Sequence, residues 1–124
     1  MPADSGAGLH GRPTMAELLV AVREFLAGEV FPATDGYVQF HTRVAVRVLD
    51  TILRELELGT AQEEAHSQRL AALGYGTDRE LIEAIRAGRY DADITGLAAA
   101  LEPDVRAKLE VADPRYLADR DPFR

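Results

Sequence analysis

The sequence predicts an all-α fold, a single-domain bundle of five to six helices. Three observations carry this. The pairs Thr14–Glu17, Thr60–Glu63 and Thr77–Glu80 have the spacing of a capping box, in which hydroxyl and carboxylate each satisfy an orphan amide of a first helical turn. Apolar residues recur three and four positions apart, the period of a helix face, and no stretch alternates apolar with polar residues as a half-buried strand would. Ala and Leu, strong helix formers, outnumber Val, Ile and the aromatic residues.

Residues 1–12 read as a flexible leader, with Pro2, Gly6, Gly8 and Gly11 and little apolar content. The helical domain is expected over 13–117. Its first helix runs from about 14 to 30, with Met15, Leu18, Val22, Phe25 and Leu26 on one stripe and Glu29 near the end of that stripe. Phe31-Pro32 should stop it, because the residue before a proline avoids the helical region.

The second helix is expected over 37–58 as the long central element, with Gly59 just past its end. Tyr37, His41, Val44, Ala45, Val48, Leu49, Ile52 and Leu56 share one face and should be the core stripe. Arg43, Arg47, Asp50 and Arg54 share the opposite face.

Thr60 should open a third helix ending near Leu73-Gly74, and Thr77 a fourth ending at Gly88, with Leu81, Ile82 and Ile85 as its apolar side. The last helical region, about 94–111, places Leu97, Leu101, Val105 and Leu109 at successive i+4 steps. Pro103 should break or kink it. Residues 118–124 form the tail. Tyr116, Leu117 and Phe123, around its start and end, either dock on the bundle or stay mobile.

Composition bounds the function. The chain has 124 residues with 47% apolar and 28% charged, ordinary for a globular domain and far from a disordered one. No apolar run approaches the length of a membrane span. Cysteine is absent, which excludes disulfides, a thiolate nucleophile and zinc-thiolate sites. Net charge is -7, so nucleic acid and anionic lipid are not expected partners. The start of the chain lacks the apolar stretch of a secretory signal, which points to a cytoplasmic address. Thirteen of the fourteen basic residues are Arg, with Lys108 the one Lys.

Catalytic motifs are missing. There is no phosphate-cradling glycine signature and no nucleophile elbow. Neither a cofactor nor a metal is expected. Glu63 and His66 match the Glu-x-x-His spacing of di-metal bundles once, without a second copy, and read as surface residues. The candidate partner or ligand contacts are Glu29, His41, Arg43, Arg47 and Arg54. His41 lies on the expected core stripe, so it reads as a boundary histidine satisfied by a carboxylate such as Glu29 or Glu55, or as the lining of a cleft between the first two helices. The arginines read as a salt-bridged face built around Asp50, or as a contact surface for a partner or an anionic ligand.

Several segments together resemble a small bacterial family of unassigned function. They are Pro13-Thr14, Glu17-Leu18-Leu19, Ala21 to Leu26 and Glu29-Val30, then Phe40-His41, Arg43-Val44-Ala45 and Arg54-Glu55-Leu56. Ile85-Arg86 with Gly88, Lys108-Leu109, Val111 and Asp113-Pro114 with Tyr116 complete the set. Arg47 and Asp113 stand where relatives would carry Asn. The resemblance implies a gene neighbour, a kinase resembling aminoglycoside phosphotransferases, often with acyl-CoA dehydrogenases nearby. It implies a non-catalytic accessory subunit that binds such a kinase, acting on hydroxyacyl-CoA substrates. A stand-alone binding protein for an acyl-CoA or another anionic metabolite is the alternative, and self-association into a homo-oligomer is a further expectation.

Overall fold

The computed structural model describes residues 8–120, and every regular element among them is helical. The helices are α1 (Met15–Phe25), α2 (Phe31–Ala33), α3 (Gly36–Leu73), α4 (Asp78–Arg86), α5 (Ile94–Ala112) and α6 (Pro114–Arg120), with a π-helical segment, Leu26–Val30, between α1 and α2. The all-α expectation holds. Of the leader, residues 1–7 lie outside the described residues, as does Phe123 of the tail. No helix among the described residues is long and apolar enough to cross a membrane.

Two capping pairs act as the sequence indicates. The Thr14 hydroxyl accepts from the Glu17 amide at 3.1 Å, and the Glu17 carboxylate accepts from the Thr14 amide at 3.0 Å. That amide, with the Arg12 guanidinium, pulls the Glu17 carboxyl down to about 2. Thr77 caps α4 through the Glu80 amide at 3.2 Å, while Glu80 reaches one residue further back, to the Gly76 amide at 2.9 Å.

The third pair does not act. Gly59 and Thr60 lie inside α3, so the expected second and third helices are one helix of 38 residues. A glycine ends a helix by entering the left-handed region. Gly74 (φ 98°) and Gly88 (φ 85°) do so, and Gly59 does not. Beyond Gly74 and Gly88 the amides of Tyr75 and Arg89 bond back five residues, to the carbonyls of Leu70 and Ala84. Keeping Gly59 helical costs about 1 kcal/mol relative to Ala. Against this, the turns beyond it supply Gln62, His66, Arg69 and Leu70, all of which are bonded or packed.

Both prolines expected to stop helices are passed. Before Pro32 the ladder widens, and the Phe31 amide bonds the Leu26 carbonyl five residues back. The π segment makes room where a proline ring crowds the carbonyl four residues behind it. Pro103 lies inside an unbroken α5. Leu97 and Leu101 before it are packed on the core, and Asp104 just after it is tied to Arg69.

The chain divides into two compact units, Met1–Gly59 and Thr60–Arg124, with the boundary inside α3. The buried apolar residues are Leu70, Tyr75 and Leu81, with Leu73, Ala84, Tyr90, Leu97 and Leu101 packed around them. All belong to the second unit. On α4 only Leu81 of the expected apolar trio is buried, with Ile82 and Ile85 exposed.

Candidate functional site

In the first unit α1 and the start of α3 form an antiparallel hairpin. The Gln39 side-chain amide donates to the Phe31 carbonyl at 3.1 Å near the turn. Further along, Arg23 of α1 pairs with Asp50 of α3 through Nε and, at 3.3 Å, Nη2. The half-buried seam on α3 holds Gln39, Val46, Leu49, Asp50 and Leu53, with the buried Thr42 bonding the Val38 carbonyl at 2.7 Å.

This seam corrects the orientation expected of both helices. Most of the residues expected as core are on the surface: Met15 is 70% exposed, Phe25 58% and Val48 53%, and Leu18, Val22, Val44, Ile52 and Leu56 are exposed too, while Leu26, Ala45 and Leu49 of the expected stripes are half-buried. The longest apolar stripe does not face its neighbour, because Arg23–Asp50 and Thr42 set the contact one side-chain row away. In an antiparallel pair with about 100° per residue, the exposed rows of the two helices fall on the same side of the hairpin. Arg23–Asp50 lies toward the other side.

His41 belongs to that exposed side and is not a boundary histidine. Its ring packs against Tyr37, centroids 4.2 Å apart, and stands edge-on to Phe40 at 5.2 Å. Glu29 is exposed on the π segment, and no ion pair links it to His41 among the described residues.

The arginine face is not the expected ladder. Asp50 is taken by Arg23. Arg43 is exposed and its guanidinium sits over the Phe31 ring, 5.1 Å from the centroid. Arg47 is exposed, with no carboxylate within ion-pair distance among the described residues. Arg54 is half-buried and donates to the Thr51 hydroxyl at 3.2 Å. Arg43 and Arg47 are therefore free to meet an anionic group.

The second unit holds a polar cluster that sequence reasoning missed. His66 Nε2 lies 2.6 Å from Asp78 Oδ1, and its Nδ1 3.0 Å from Asp104 Oδ2. Arg69 grips Asp104 through Nε at 2.8 Å. A neutral imidazole has one N–H, so carboxylates on both nitrogens call for the imidazolium. Hydrogen bonding to Asp104 and Asp78, opposed by burial, raises the His66 pKa. Burial pushes the Asp104 carboxyl up, but the hydrogen bonds and charges of Arg69 and His66 outweigh it and hold it low. The cluster ties α3 to α4 and α5. No group of three or more His, Cys, Asp or Glu among the described residues is arranged to hold a metal ion. The Glu63-x-x-His66 spacing pointed along one helix, whereas both partners of His66 come from other helices. Nearby, the Tyr75 hydroxyl meets that of Tyr90 at 2.8 Å and accepts from Arg89 at 3.1 Å.

Residues 32–116 match the model of a family described as a domain of unknown function, DUF6285. The match takes in α3, α4 and α5 and leaves out α1. No curated protein matches the chain, and no solved structure does.

Proposed function

We propose, from the premise that the chain belongs to the DUF6285 family, that it is a cytoplasmic, non-catalytic accessory subunit of a phosphotransferase-like kinase acting on hydroxyacyl-CoA substrates. The single observation that supports this reading is the uncompensated pair Arg43 and Arg47. On a chain of net charge -7, two exposed guanidiniums one turn apart without a carboxylate are available to an acidic partner surface. The kinase itself comes from the family resemblance. A second reading rests on the same arginines: a stand-alone protein that binds the phosphates of an acyl-CoA or another anionic metabolite.

Co-expression with the neighbouring kinase separates the two. The accessory reading expects the chain to co-purify with the kinase and to raise its turnover. The double change Arg43→Ala, Arg47→Ala should weaken that complex about tenfold or more while leaving the melting temperature nearly unchanged, since surface substitutions cost within about 0.5 kcal/mol. Loss of stability in the arginine variant would place those side chains in a structural network and sink the contact surface. An acyl-CoA that raises the melting temperature of the isolated chain would favour the second reading.

A further inference from the structure

We propose that the exposed apolar side of the α1–α3 hairpin is covered by a second copy of this chain, the two hairpins forming a four-helix layer. The first unit has no buried apolar residue among its described residues; its one buried side chain is Thr42. A helix pair without a core does not hold its conformation in water by propensity alone. Most of its exposed apolar side chains are instead gathered on one side, with Val20 and Phe40 off it. Those of α1 from Met15 to Phe25 and of α3 from Val44 to Leu56 together expose on the order of 700 Å², close to what each partner contributes to a standard interface and more than an ordinary monomer leaves in one patch. Charge on this side is limited to a few positions: the exposed row of α3 carries Tyr37, His41 and Glu55 among its apolar residues, and Glu29 continues the α1 row on the π segment.

A second copy fits this side better than an unlike partner. Two antiparallel helices with both apolar rows on one side are half of a four-helix bundle, and stacking the same half on itself completes it. The contact would be isologous, the commonest symmetry of soluble oligomers. The inference goes beyond the kinase reading and is independent of it, because Arg43 and Arg47 lie away from this side.

The test uses the full chain without any kinase, so its failure leaves the kinase reading standing. The chain has no cysteine, so Val48→Cys introduces a single thiol into the middle of the apolar row. Maleimide labelling of that thiol should be about tenfold slower or more at high protein concentration than after dilution, as expected of a surface protected by association. Sedimentation over the same range should show a species of twice the 13.5 kDa chain mass that dissociates in parallel. Val22→Glu with Val48→Glu should give a helical monomer, and Glu24→Gln, outside the apolar row, should remain a dimer. Labelling that is fast at every concentration would mean the surface is open and would overturn the proposal. Labelling that is slow at every concentration, with a monomer in sedimentation, would mean the chain covers its own surface and would overturn it too.

Discussion

At the scale of single residues, the side chains that matter most are those with partners on another helix. His66 is the clearest. Both ring nitrogens face carboxylates, and its pKa is raised. A group whose pKa rises on folding stabilises the folded state below its unfolded pKa, and that contribution fades as pH climbs through the folded value. The contribution of His66 is therefore complete below its ordinary 6.5 and lost above it. Denaturant midpoints should fall between about pH 5 and about pH 8 in the natural chain. In His66→Ala the slope should flatten, and stability at the acid end should drop by about 1–3 kcal/mol. An unchanged pH profile in that variant would show that the ion cluster is not what titrates. His41 has no carboxylate partner of this kind among the described residues and is exposed, its ring packed against Tyr37 and edge-on to Phe40.

At the scale of elements, glycines and prolines act through the conformation they adopt and not through their presence. Gly59 and Gly74 stand fifteen residues apart in sequence and do opposite things. Gly59 is helical, and a Cβ there would make an ordinary 3.5 Å contact with the Glu55 Cγ. Gly59→Ala should stabilise the chain by about 0.5–1 kcal/mol. Gly74, at φ 98°, ends α3 in the left-handed region. Gly74→Ala should destabilise by at least about 1 kcal/mol, since a Cβ is strained there. Thermal melts of the two variants should move in opposite directions. If Gly59→Ala lowered the melting temperature instead, the unbroken α3 would be wrong at that point. Pro32 follows the same logic, tolerated because the π segment before it widens the turn.

On the scale of the whole molecule, the distribution of buried apolar surface is uneven. Leu70, Tyr75 and Leu81 carry the core, and they come from the end of α3, the turn after it and α4. With so few buried apolar side chains, each matters. Leu81→Ala should cost about 2–5 kcal/mol, the range for removing a leucine from a packed site. For a domain of this size that is a loss of roughly ten degrees or more in melting temperature. A shift of only a degree or two would mean that the core lies elsewhere.

The sequence by itself determined what depends on neighbours along the chain. The α class, the starts of α1 and α4 and the glycine ends of α3 and α4 follow from caps and propensities acting within a few residues, so Thr14, Thr77, Gly74 and Gly88 were readable one by one. The functional candidates were readable only as residue types on a helix. Which side of a helix meets its neighbour was decided by tertiary contacts. Arg23 takes Asp50, so Asp50 does not bridge Arg47 and Arg54 as the spacing suggested. Thr42 takes the seam, which leaves Val48 and Phe25 outside. His66 gathers Asp78 and Asp104, from 12 and 38 positions away in the sequence. The strength of a helical stripe says that a face is apolar. It carries no information about what covers that face, because the free energy of burial depends on area removed from water and not on the identity of the surface that removes it.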